Sequence, residues 1–352
     1  MLKQLSFKER ILRFDLIFIF FLIISLIHCT PDKNTPEVSD IQVDVKIKRF
    51  EQELFALETD SDLPFDAQLT QLAAKYPQFY EVFKELIADP YGLDTSAVNR
   101  IQQFVQHEGV RKLYDTTQVV YDNIEWLEEE LEQAFAYYKY YFPEKPVPEV
   151  VSYISEYGVG AFTYGDSLLA LGLDFFLGKE FLYDYNVFPA YIQKYMTKDH
   201  LVAKAVETLA SNVAGEVYGD RLLDYMIANG KMLYVKSLLL PDYEEDVIME
   251  WTPQQLEWMN NASNERELWT QLAKQDLLYS TRRSEFDKLI VPSPMGATWM
   301  PRESPGKTGN WIGWQIIKSY MEQHPEMSVR EILEMTDAQA ILSASKYRPR
   351  RG

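Results

Sequence analysis

PRESPGKTGNWIGWQIIKSY, residues Pro301 to Tyr320, contains Gly306-Lys307-Thr308, the ending of a phosphate-binding P-loop. A P-loop also needs glycine five residues earlier, where backbone N–H groups wrap the phosphates, and a strand to feed the loop. The residue at that place is Pro301, which has no N–H and a fixed φ, and Gly296 to Met300 do not read as a strand. No nucleotide and no other cofactor is therefore expected. Pro305-Gly306 and Gly309 permit a tight loop, and Asn310 is suited to cap a helix carrying the stripe Trp311, Ile312, Gln315, Ile316 and Tyr320. The loop is expected to present backbone rather than lysine chemistry. It reads either as a rigid helix start or as a contact surface for a partner or ligand, made of Arg302, Ser304, Gly306, Trp311 and Trp314.

The surrounding chain alternates helical and strand patterns. Ile41, Val43, Val45 and Ile47 alternate with polar residues at the period of a half-buried strand. From Arg49 to Phe142 apolar residues recur at helical spacing, and Pro143, Pro146 and Pro148 then break the pattern. Val150–Ile154 and Ser167–Leu171 predict two strands, paired as a hairpin or as neighbours through the glycine-containing Gly158–Asp166. Helices are predicted for Ala190–Met196, His200–Tyr218, Leu222–Leu240, Pro253–Leu278, Trp311–Gln323, Ser328–Met335 and Asp337–Ser345. The expected class is α+β, mostly α-helical, with a small antiparallel sheet.

The chain has 352 residues and a formal net charge of −18, which excludes nucleic acid as a partner because phosphate binding depends on Lys and Arg. Four basic residues (Lys3, Lys8, Arg10 and Arg13) precede the apolar run Leu16–Ile27, LIFIFFLIISLI. That is the layout of a signal peptide, and the run is shorter than the roughly 20 residues of a membrane span. Cys29, the single cysteine, follows at the place where a bacterial lipoprotein is acylated. The expected organisation is a lipoprotein signal peptide over residues 1–28 and a flexible tether over 29–40. A mainly helical region over 41–142 and an α+β region over 143–352 follow, with 41–352 also readable as one compact domain.

Catalytic motifs are missing. No H-E-x-x-H occurs, and His107, His200 and His324 are scattered, so no metal site is expected. On the helix from His200, Val202, Val206, Leu209, Val213 and Val217 share one face, while His200, Lys204, Glu207 and Ser211 are assigned to solvent on the other. No G-x-S-x-G elbow is present, and no catalytic residue is assigned. Glu156, Asp166 and Asp174 lie near the strand pair, where turn and strand-end roles account for them.

Several blocks read together: Ile27-His28-Cys29, YGDSLLALGLDFFLG at Tyr164–Gly178, LLYST at Leu277–Thr281, ESPG at Glu303–Gly306, GNWIGWQII at Gly309–Ile317 and SKYRP at Ser345–Pro349. In these blocks the chain resembles the gliding motility lipoprotein GldB family of Bacteroidetes. The resemblance implies a membrane-anchored lipoprotein facing the periplasm, needed for gliding, linked to type IX secretion and in contact with other components of that machinery. It leaves the membrane open between inner and outer. It also implies a distant likeness in layout to zinc peptidases, whose metal motif is missing here. The leading expectation is a function through protein contacts without catalysis. The alternatives are a metal-independent hydrolase and a glycan-binding protein of the envelope. A hydrolase predicts a deep pocket with carboxyls of raised pKa, a glycan binder predicts a pocket with aromatic walls, and a contact protein predicts a flat aromatic patch.

Overall fold

The computed structural model describes residues 35–58, 61–86, 96–182 and 188–350. Residues 1–28, expected to be a signal peptide, and Cys29 lie outside the described residues. A four-stranded sheet is built from β1 (Ile47–Arg49), β2 (Glu149–Tyr153), β3 (Ala161–Tyr164) and β4 (Leu168–Gly172), in the order β1-β2-β4-β3. β1 runs parallel to β2, with Ile47 opposite Val150, and β2 runs parallel to β4, with Val151 opposite Ala170. Only β3 and β4 are antiparallel, with Phe162 opposite Ala170. The mostly helical α+β class stands, but the sheet is mixed rather than antiparallel.

The reason lies in the segment read as a simple connection. Residues after β2 cross to the far side of β4 and form β3 there, and a turn through Gly165 (φ 55°) leads back into β4. β4 can then run parallel to β2, which a direct hairpin forbids. Every residue of β4 is buried, so LLALG is continuously apolar instead of alternating, as in strands covered on both faces. At the other edge only the last residue of the alternating run, Ile47, is in β1.

The first helices are α1 (Phe50–Phe55), α2 (Phe65–Lys75), α3 (Pro77–Leu86), α4 (Ala97–Gln106), α5 (Glu108–Val120) and α6 (Glu125–Tyr141). Phe50 of α1 meets the rings of Tyr76, Phe79 and Phe83 at 4.8–5.1 Å between centroids, all edge-on. This aromatic cluster fixes α3 beside the sheet.

After a 3-10 turn, Leu173–Phe176, come α7 (Ala190–Gln193), α8 (Lys198–Ala214) and α9 (Leu222–Leu239). They are followed by α10 (Glu245–Met249), α11 (Pro253–Asn260), α12 (Ala262–Lys274), α13 (Arg283–Ile290), α14 (Thr308–Gln323), α15 (Val329–Glu334) and α16 (Ala338–Ser345). α8 packs on β3 and β4, and α9 packs on both α8 and α14. α9 is buried on nearly every side, as its continuous apolar sequence requires.

The long helix foreseen over Pro253–Leu278 is two helices, because Asn261 leaves helical backbone and its side chain accepts from the Ser263 N–H to start α12. α14 begins at Thr308, earlier than foreseen, with Lys307 rather than Asn310 at its N-cap. Asn310 lies inside, its Nδ2 donating to the Ile290 carbonyl at 3.0 Å. Gly230 of α9 and Gly313 of α14 explain how these two helices approach. A Cβ on Gly313 would lie 1.8 Å from the Met226 carbonyl oxygen, and one on Gly230 would lie 2.3 Å from the Gly313 carbonyl carbon.

Candidate functional site

Two residues other than glycine hold left-handed backbone at facing turns: Glu250 (φ 52°, ψ 54°) after α10 and Lys307 (φ 59°, ψ 18°) before α14. Such a conformation costs an L-residue roughly 1 kcal/mol and persists only where neighbours enforce it. The first turn is set by sequence, since Thr252 and Gln255 form a capping box around Pro253 and start α11 at once. The second is set by packing. The Lys307 N–H donates to the Lys288 carbonyl at 3.0 Å, and Trp251 Nε1–H donates to the Gly306 carbonyl at 3.0 Å, tying the two turns together. A Cβ on Gly306 would come within 2.9 Å of the Ser293 backbone, so this close approach requires glycine.

From these turns an alternating chain of charge runs inward. Lys307 Nζ pairs with Glu250 Oε2 at 2.8 Å, and Lys204 Nζ stands 3.7 Å from Glu250 Oε1. Lys204 Nζ also pairs with Glu207 Oε1 at 2.6 Å, and Glu207 Oε2 accepts from Lys236 Nζ at 2.8 Å. Lys236 is wholly buried and makes a further hydrogen bond to the Ile248 carbonyl at 2.9 Å. Burial alone would push the Glu250 carboxyl up, but Lys307, Lys204 and Lys236 outweigh it and hold that carboxyl far below the usual range. Glu207 is likewise lowered: burial opposes ionisation, Lys236 favours it, Glu250 disfavours it and Lys204 again favours it. Lys204 is raised, the cost of burial being exceeded by the attraction of Glu207 and Glu250. Glu250, Glu207 and Lys204 are therefore each held in the charged form.

The outer end of this chain forms one side of a cavity of about 250 Å³. Phe175 and Phe176 from the 3-10 turn, Tyr191 and Ile192 from α7, Tyr195, Met196 and Trp251 supply apolar walls. Lys194, Lys204, Glu250, Gln255 and Lys307 supply polar groups, with Ser293 and Gly306 at the loops. His200, one turn before Lys204 on α8, places Nδ1 2.9 Å from Thr197 Oγ1 and packs its ring against Tyr195. Burial pushes its pKa down, so the ring is neutral at pH 7.

The family model of the gliding motility protein GldB matches residues 31–349, nearly the whole chain. The chain belongs to the gliding motility protein GldB family. Neither a curated protein nor a solved structure matches it.

In this member of the GldB family, the residues singled out in the sequence separate. Gly306 lines the cavity, Arg302 is exposed, and Ser304 is buried with its hydroxyl donating to the Pro301 carbonyl at 2.5 Å. Trp311 and Trp314 are each 1% exposed and belong to the core, so they do not present a contact surface. Their stripe faces inward because α14 is pressed onto α9 at Gly313. Lys307, expected to carry no chemistry, is instead a member of the charge chain.

The face of α8 assigned to solvent bears Lys204 and Glu207, which instead make ion pairs, Lys204 with Glu250 while staying partly exposed and the mostly buried Glu207 with Lys236 of α9. Its apolar face ends sooner than expected, since Gly215 (φ 76°) stops α8 before Val217. Glu156, Asp166 and Asp174 do not line the cavity. Asp166 pairs with Lys145 at 2.6 Å, and Asp174 accepts from the N–H groups of Ser155 and Tyr157. Among the described residues no cluster of three or more His, Cys, Asp or Glu side chains could hold a metal, and no helix is long and apolar enough to cross a membrane. Glu250 and the aromatic walls had no signal in the sequence. The two charges on α8 were visible there, but their partners come from distant segments.

Proposed function

We propose that this protein is a lipid-anchored component of the cell envelope that supports gliding motility and type IX-linked secretion through protein contacts, without catalysis of its own. The observation carrying this reading is the family match, which begins just beyond Cys29 and runs to residue 349. In this reading residues 1–28 are removed on export, Cys29 carries the lipid, and residues 29–40 hold the folded body away from the membrane on its periplasmic side. General acid catalysis needs a carboxyl that is protonated near the working pH, whereas Glu250 is held ionised by Lys307 and Lys204.

Cys29→Ala is expected to leave the precursor unprocessed, unlabelled by fatty acid and unable to support gliding. Equal labelling of wild type and variant would defeat the anchoring. For the contacts, the wild-type protein captured from detergent-solubilised envelopes should bring down components of the gliding or secretion machinery. Recovery of the labelled protein alone, under conditions that keep other envelope complexes intact, would count against them.

A further inference from the structure

The walls and charges of the cavity imply a ligand, an inference that stands apart from the anchoring and the contacts proposed above. Among the described residues its lining carries the partly buried Lys204 and Lys307, with the exposed Lys194 at the edge, against one carboxylate, Glu250. The buried charge chain as a whole holds three ammonium groups, on Lys204, Lys236 and Lys307, and two carboxylates, on Glu207 and Glu250. Either way a positive excess is built into a protein whose net charge is −18. An excess charge partly withdrawn from water is costly unless something offsets it. Two left-handed non-glycine residues, Glu250 and Lys307, are held at this one wall, and such backbone concentrates at ligand clamps. The rest of the lining, with Phe175, Phe176, Tyr195 and Trp251, offers apolar and aromatic surface.

We propose that the cavity binds a carboxylate attached to a compact apolar or aromatic body, with the carboxylate between Lys204 and Lys307 and the body against Phe175, Phe176 and Trp251. A volume of about 250 Å³ suits a group the size of one aromatic amino acid. A phosphate fits less well. Among the described residues the lining holds no arginine for a bidentate contact, and Lys204 and Lys307, already shared with Glu250, offset one further negative charge rather than two. Glu250 competes with the ligand for the same ammonium groups. It acts as an internal stand-in while the cavity is empty.

The same chemistry occurs in a free aromatic acid and at the C-terminus of a peptide ending in an aromatic residue. Binding to the full-length protein in detergent would be followed through tryptophan fluorescence and calorimetry, using 3-phenylpropanoate, its amide, the peptide Ala-Ala-Phe as free acid and as C-terminal amide, and inorganic phosphate. At least one free acid should bind, at least ten-fold more tightly than its amide. Preference for the peptide acid assigns the site to chain ends, and preference for 3-phenylpropanoate assigns it to small acids. Glu250→Gln should tighten binding several-fold by removing the competitor, and Lys204→Met should weaken it at least ten-fold, with melting temperature recorded for both. A second blocking variant, Ile192→Trp on the half-buried wall of α7, should weaken binding without a change in melting temperature. Equal affinity for acid and amide, preference for phosphate, or no binding of either acid by wild type and by folded Glu250→Gln would overturn the proposal.

Discussion

Asp174 shows how one buried carboxyl can give a pH dependence of its own. Burial raises its pKa from an ordinary 3.8 to about 7, against the lowering effect of hydrogen bonds from the Tyr157 and Ser155 N–H groups. The folded state therefore holds a proton that the unfolded chain has lost, so its contribution to stability is complete below pH 3.8 and is lost as pH rises to about 7. The difference across this window is about 4 kcal/mol. Asp174→Asn should lack this contribution, so the stability difference between wild type and variant, measured by chemical denaturation between pH 4 and 8, should change by that amount in favour of the wild type at low pH. An unchanged difference between wild type and variant across that range would refute it. His200 acts in the opposite sense. Its lowered pKa means that stability present above pH 6.5 is lost on acidification, and comparing the two proteins at each pH cancels that contribution. Trp311 is a plainer case, being 1% exposed at the start of α14. Trp311→Ala should cost about 3–5 kcal/mol of stability, so any loss of motility should be accompanied by a lowered melting temperature.

Among elements, the crossing of α9 and α14 is the most sensitive contact. Gly313 has no room for a methyl group, because the nearest atom is the backbone carbonyl oxygen of Met226 at 1.8 Å and cannot rotate away. Gly313→Ala should therefore separate the two helices and cost about 1–3 kcal/mol or more, despite alanine being the better helix former. Gly165 provides the comparison. It has φ 55° and no atom within 4 Å of the place a Cβ would take, so alanine there meets only the backbone cost of roughly 1 kcal/mol. If both variants melted alike, close packing would not be what selects Gly313.

For the whole molecule, the charge chain ties the neighbouring helices α8, α9 and α10 to α14, which begins far along the chain at Thr308. Lys204 and Glu207 belong to α8, Lys236 to α9, Glu250 to the end of α10 and Lys307 to the start of α14. Lys236→Met removes the innermost cation and leaves Glu207 buried with Lys204 as its one remaining ion pair. Removing one partner of a buried pair costs about 3–5 kcal/mol, which denaturant titration would measure. Lys236→Met combined with Glu207→Leu should recover much of that loss, because the stranded charge is gone as well. A double variant as unstable as the single one would mean that the lysine acts through packing alone.

Much of this architecture was legible in the sequence, because its determinants are local. A sustained apolar run located α9 and the 3.6-residue apolar period the body of α14, proline and glycine marked their limits, and the motif blocks from Tyr164 to Pro349 carried the family resemblance. Pro301 alone ruled out the P-loop reading of Gly306-Lys307-Thr308. Strand direction was not local: it depended on the chain crossing β4 to form β3, which leaves β2 and β4 parallel. The candidate site was less legible still. Its lysines and glutamates lie up to about a hundred residues apart, and a charge on a helix face looks the same in sequence whether it meets water or an opposite charge. Folding brought Glu250 between Lys204 and Lys307, where their mutual attraction outweighs the cost of burial and sets an ion-paired wall beside an aromatic cavity.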